Sequence, residues 1–298
     1  MKNKYIFSQN LRAALFSTLL IAFFIGCGTG VSFTGSPQTG IVIRYWFEPG
    51  QTLHYSLENQ SSINTEMMGE AVEMGSDIFA EYTLEGRGRN SDGDLLIGVT
   101  VDTMKMEIRS IREDLVPDLS SLIGKSFGLV LSPTGEVMEY MGTEDLFIDL
   151  GQMMGGRQNI KDSFRNIFIS LPEQEIKIGD SWTENGERME TVMGMEVNSR
   201  FESINRFEAV EEVDGMECLK FTTKKSAEMN GEGERMGTGF VLEGNLDVFI
   251  TWYFAYRRGI LVKMEIDTFL EGNIAVGGGS GMTIPVTSET TGHVRLTL

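Results

Sequence analysis

Cysteine and histidine are almost missing from this chain, which has two of each among 298 residues. Cys27 and Cys218 are too few for an intrachain disulfide framework, and Cys218, in Glu217-Cys-Leu219 on an expected strand, reads as a small buried hydrophobe. His54 and His293 stand alone, with no Cys or His spaced to complete a site, so neither metal nor cofactor is expected. The alternation of strand and helix that a hydrolase fold needs is also lacking. Gly124-Lys-Ser-Phe-Gly128 has the spacing of a nucleophile elbow, yet a strand rather than a helix is expected after Ser126. The same stretch is not a phosphate loop, because Leu119 stands where the first glycine should be. Asn90, Asp92 and Asp94 alternate around Gly93 in an oxygen-rich turn, but no frame puts glycine sixth and glutamate twelfth as a calcium loop needs, so a hairpin turn is expected. Acidic neighbours such as Glu211-Glu212 read as solvated edges. No catalytic residues are expected.

Basic residues are the next scarcity. Lys2, Lys4 and Arg12 precede the one long apolar run, Ala13 to Ile25, as in a secretory signal; that run is shorter than the ~20 residues of a spanning helix. Without residues 1–26, the 25 Lys+Arg fall to 22 against 43 Asp+Glu, a net charge of −21. Such a surface repels nucleic acid and anionic headgroups. Phe24-Ile25-Gly26-Cys27 resembles the lipobox of bacterial lipoproteins, which implies acylation of Cys27. Neither Gly28 nor Thr29 resembles an inner-membrane retention signal, so the resemblance implies an outer-membrane lipoprotein facing the periplasm or the cell surface.

What the chain does have is alternation. Residues 27–40 are small and Gly-rich and read as a flexible tether, followed by a single β-rich domain over 41–298. A β block spans 41–142. Within it Leu95, Ile97, Val99 and Val101 share one face, and Met104, Met106 and Ile108 continue in the opposite phase. A bulge near Asp102-Thr103 would bring all of them onto one side. A second block spans 171–298. From Leu242 to Tyr256 the even positions are apolar, the chain turns at Arg257-Arg258-Gly259, and Ile260, Val262, Met264 and Ile266 resume the pattern. At ~3.3 Å per residue the first arm runs about 50 Å, long enough to wrap, with Gly244 and the run from Gly277 to Gly281 as bend points. Between the blocks, over 143–170, alternation stops. Leu146, Leu150 and Met153 or Met154, then Ile160, Phe164, Ile167 and Phe168, fall at helical spacing, so two short helices separated by Gly155-Gly156 are expected as a joint. Met67-Met-Gly-Glu70 and Met229-Asn-Gly-Glu232 read as equivalent turns of a duplicated β unit.

Methionine is unusually frequent, 18 in all. Met104/Met106 and Met193/Met195 each lie two apart on a strand face, and a deformable thioether lining suits varied apolar ligands. Copper(I) would need denser Met/His tracts. Met104, Met106, Met193, Met195, Trp252 and Phe254 are therefore the expected ligand-binding residues.

Leu171-Pro172 followed by Ile176-Lys-Ile-Gly-Asp-Ser-Trp182 resembles the signature of an uncharacterised family of bacterial envelope lipoproteins. Gly50-Gln-Thr-Leu-His-Tyr55 and Leu131-Ser-Pro-Thr-Gly-Glu136 extend the likeness. Gly179 and Asp180 form a turn and Trp182 an apolar anchor, a structural signature. The architecture is also similar to the half-barrel of periplasmic lipoprotein and lipid carriers. The expected fold is mainly β, a long curved antiparallel sheet or open half-barrel with two short central helices. The expected function is non-enzymatic binding of an acyl chain or apolar peptide on a concave β face. The alternative is a structural lipoprotein that docks another envelope protein through its acidic surface or a sheet edge.

Overall fold

Alternation at a period of two makes nearly all of the domain strand, because it gives each strand one dry and one wet face. The computed structural model describes residues 32–67, 69–110, 114–150, 156–164, 167–192, 195–235, 238–277 and 281–297. A short hairpin comes first, β1 (Phe33–Ser36) with β2 (Gly40–Ile43). The first block supplies β3 (Thr52–Met67), β4 (Glu70–Arg89), β5 (Leu95–Arg109), β6 (Ser126–Leu131) and β7 (Val137–Met141). A small hairpin, β8 (Phe147–Asp149) with β9 (Arg157–Asn159), and one helical turn, α1 (Lys161–Phe164), follow. The second block supplies β10 (Ser181–Val192), β11 (Met195–Val213), β12 (Met216–Arg235), β13 (Thr238–Ala255), β14 (Ile260–Val276) and β15 (Met282–Thr297).

These blocks form one antiparallel sheet of 11 strands in the order β10-β11-β12-β13-β14-β15-β3-β4-β5-β6-β7. The last strand lies beside the first long one, Val294 opposite Leu57, and this pairing joins the two blocks. The sheet is an open half-barrel, since β10 and β7 are its two edges and do not pair. It curls around a plug made of residues 41–47 and the described residues of 143–176. Phe164 packs edge-on against Tyr82 of β4 and Phe127 of β6, with centroids 4.6 and 5.3 Å away. Tyr45 does the same to Phe254 of β13 at 5.2 Å. A single buried cluster thus contains residues of both blocks. Burying a side chain such as Phe164 contributes roughly 1.5–3 kcal/mol. Hydrogen bonds tie the two plug segments to each other and β3 to β14. The Tyr45 hydroxyl accepts the Ile169 N–H at 3.1 Å, and the Tyr55 hydroxyl donates to the Leu261 carbonyl at 2.7 Å.

Three expectations need correction. Among its described residues the joint does not hold two helices. Leu146, Ile148 and Ile160 enter the core from a β-hairpin, and among the described residues of the joint only the four of α1 are helical. The apolar spacing was real but records contacts from the plug to the core rather than one face of a helix. Met153, Met154 and Gly155 lie outside the described residues. The tether does not extend to residue 40, because Ser32 is buried with its hydroxyl donating to the Tyr256 carbonyl at 2.7 Å, and β1 and β2 are paired. Met229–Glu232 is not a turn but lies mid-strand in β12, paired with Glu196–Ser199 and Val241–Gly244. Gly231 is kept extended there by close packing between Val197 and Leu242.

Among the described residues no helix is long and apolar enough to cross a membrane.

Candidate functional site

The site is built by a bulge. In β4–β5, Glu81 pairs with Thr103 and Tyr82 with Val101, so Asp102 has no partner. The extra residue shifts the phase. Leu95, Ile97, Val99 and Val101 on one side of it, and Met104 and Ile108 on the other, all become buried on the inner face of the sheet. Met106 joins them half-buried. Past β5 the chain doubles back as a strap. Ile108 and Leu115 exchange both backbone hydrogen bonds at 2.8 Å, and Val101 bonds Gly124 and Lys125 at 2.8 and 3.0 Å. Between these anchors the strap bows away from the strand. Leu119 and Leu122 insert into the core, and Asp118 accepts the Ser120 N–H at 3.0 Å to start a single 3-10 turn. That bond, with the Ser120 hydroxyl, holds the Asp118 carboxyl below its ordinary range.

Bow and sheet border an open cleft of about 620 Å³, within the range of small-molecule sites. Its inner-face walls are Asn59, Ile78, Met104 and Met106, and its rim is Val116 and Ile123. Val116 is 71% exposed, an aliphatic side chain held out at the mouth. Glu58, Asp77, Lys105 and Glu107 border the cleft along the same strands but belong by alternation to the opposite face. There Asp77 pairs with Arg109. The lining is therefore mostly apolar, despite the acidity of the chain.

Two other cavities differ in chemistry. One of about 850 Å³ lies between the sheet edges, with Glu139 and Glu144 from the β7 side and Arg188 of β10 among its walls. Another of about 770 Å³ is lined by Arg200, Glu202, Glu228 and Glu271. Both are larger than the cleft, but charges of both signs make them poor hosts for an apolar group.

The expected ligand residues separate. Met104 and Met106 line the cleft. Trp252 and Phe254 do not line any open surface; both are sealed in the core, which corrects their assignment. Trp252 stacks on Phe221 at 4.0 Å, and Phe254 packs under the plug against Tyr45. Met195 is half-buried at the start of β11, seven places from β5 in the strand order, and does not reach the cleft. Met193 and Cys27 lie outside the described residues. At the signature, Gly179 takes φ +95°, its N–H bonds the Phe207 carbonyl at 2.9 Å, and the Asp180 carboxylate accepts the Lys177 N–H at 3.0 Å. Trp182 stands edge-on to Phe221 at 6.1 Å and donates to Glu184 at 3.0 Å.

The candidates for chemistry are dispersed. The Ser126 hydroxyl bonds Thr100 at 2.8 Å on an exposed surface. His54 pairs across the ladder with Thr297 and His293 with Glu58, so they sit four residues apart, about 13 Å. Among the described residues no three His, Cys, Asp or Glu side chains cluster to hold a metal. Burial pushes the Cys218 thiol up to about 11. Sequence reasoning missed the strap. Its one local signal is Leu115-Val-Pro-Asp118, aliphatic residues beside a proline with no alternation to place them in a sheet.

Residues 149–248, which include the Leu171–Trp182 signature, match the model of a family of unknown function (DUF6263). No curated protein sequence matches the chain. Solved structures with some likeness include two from Pseudomonas aeruginosa. OccK11 (OpdR) has 8% identity and a TM-score of 0.20, covering 86% of this chain and 100% of its own. OccK8 (OprE) has 7% identity and a TM-score of 0.22, covering 84% and 100%. Both scores fall well below those of chains that share a fold.

Proposed function

We propose that this protein is a non-enzymatic lipoprotein of the cell envelope that holds a hydrophobic ligand, an acyl chain or an apolar peptide, on the inner face of its half-barrel. The observation that carries this reading is the open apolar cleft between Met104, Met106 and Ile78 on the sheet and Val116 and Ile123 on the strap. A filled β core needs no such opening, and a flexible thioether lining adapts to ligands of varied shape. The lipobox-like Phe24–Cys27 supports an outer-membrane tether, which keeps the cleft close to a source of acyl chains.

The test is titration of the delipidated domain with the neutral probe N-phenyl-1-naphthylamine. Saturable fluorescence enhancement is expected, and Met106→Glu should weaken it about tenfold or more by placing a charge in the lining. A wild-type domain that leaves the probe dark overturns the reading.

A docking role has one observation in its favour. Among the described residues β10 pairs on one side only, with β11. An extended segment of another envelope protein could add to that edge. Its sign would be a partner that protects the β10 amides from hydrogen exchange.

A further inference from the structure

Cross-strand register places a row of polar side chains across the inside of the sheet, next to the cleft. Ser203 of β11 lies opposite Lys225 of β12, which lies opposite Val248 of β13. Val248 is opposite Thr268, Thr268 opposite Thr290, Thr290 opposite Ser61, and Ser61 opposite Ser76. Glu184 of β10 ends the row on one side and Ile108 of β5 on the other. Partners across a ladder share a face, so these residues form one belt perpendicular to the strands.

The belt divides two apolar regions. On the plug side lie the sealed core and, through Asn59, Ile78 and Met106, the cleft. On the other side Val72, Val197, Ala227 and Leu242 are buried without belonging to the core cluster, and Leu246 and Leu270 beside them are half-exposed. Four of the belt's side chains, Thr268, Thr290, Ser61 and Ser76, are half-buried hydroxyls. Ser61 and Ser76 share a hydrogen bond of 2.8 Å. The Thr268 and Thr290 hydroxyls make no side-chain hydrogen bond to any described residue.

We propose that the ligand is an acyl ester or acyl amide, whose chain lies in the cleft and whose carbonyl is held by the belt at Thr290 and Thr268. This rests on the hydrophobic-ligand reading above and names its substrate class. The spacing fits. Ser61 is one inner-face step, about 7 Å, from the cleft wall at Asn59, and Thr290 and Thr268 follow on the next two strands at about 5 Å intervals. A bare alkyl ligand would cover these hydroxyls without satisfying them, whereas a carbonyl oxygen accepts from them, and polar groups left unpaired under a ligand are a strong source of discrimination. Lys225 lies farther along the belt, over the Phe201 ring at 3.9 Å, on the other side of Val248.

The experiment is displacement of N-phenyl-1-naphthylamine from the domain by three ten-carbon amphiphiles. Decanoyl-N-methylglucamide carries an amide carbonyl, 1-decanoylglycerol an ester carbonyl, and decyl glucoside neither. The two carbonyl compounds should displace the probe at about tenfold lower concentration than the glucoside. Preference for only one of them assigns the linkage as amide or ester. The Thr268→Val/Thr290→Val variant should shrink the preference to about twofold or less while leaving decyl glucoside unchanged. Equal displacement by all three in the wild-type protein overturns the proposal and leaves the hydrophobic-ligand reading standing, whether or not the variant folds. A preference that survives the double substitution also overturns it. A probe that never binds overturns the parent reading instead.

Discussion

The indole N–H of Trp252 donates to the hydroxyl of Thr223 across the β12–β13 sheet, 3.2 Å away, and that hydroxyl donates in turn to the Asn205 side chain at 2.7 Å. The three residues are buried, and they mark the line where the aromatic core stops and the polar interior begins. Thr223→Val keeps the shape but leaves both the indole and the amide without their partner. A loss of about 2–3 kcal/mol is expected, since each unpaired buried polar group costs ~1–3 kcal/mol. Urea denaturation checks it, with Thr223→Ser as the control that should stay near wild type.

Gly244 and Gly272 face each other on β13 and β14. A Cβ on Gly272 would lie 2.5 Å from the Glu243 carbonyl oxygen, and one on Gly244 2.8 Å from that of Glu271. The pair lets the strands approach closely, so Gly272→Val should cost more than its gain in strand propensity. Destabilisation of ~1–3 kcal/mol is expected from the overpacking, read as a lower thermal midpoint.

Stability should fall in alkali. Burial raises the hydroxyl pKa of Tyr45, Tyr55 and Tyr82 above the ordinary tyrosine value, for Tyr82 up to about 12. Each of these groups keeps its proton in the folded chain and loses it at about pH 10 once unfolded. Their contribution is complete below that pH and is lost as pH climbs toward the folded values, at up to ~1.4 kcal/mol per pH unit for each tyrosine. Denaturation midpoints at pH 8.5 and 11 test this, and a midpoint unchanged at the higher pH would contradict it.

Much of the fold was legible because the signal is local. Alternation located β13 and β14, and the phase change between Val101 and Met104 located the bulge at Asp102, since a buried face tolerates no slip in register. Met104 and Met106 could be placed together on one face for the same reason. The joint could not be read so well. Apolar residues at three- and four-residue spacing satisfy a helix, but β8, β9 and α1 put Leu146, Ile148, Ile160 and Phe164 into a plug whose shape is set by distant strands.

The sequence by itself determined which residues share a face, because side-chain direction along a strand follows from the backbone alone. Only the tertiary structure decided which parts of that face are open. Trp252 and Met106 both lie on the inner face, yet the packed core seals the first, and the strap at Val116 leaves the second beside a cleft. The polar belt, likewise, exists only through register. Its serines and threonines come from five strands scattered between Ser61 and Thr290, and pairing energies between strands, not any local pattern, bring them into one row.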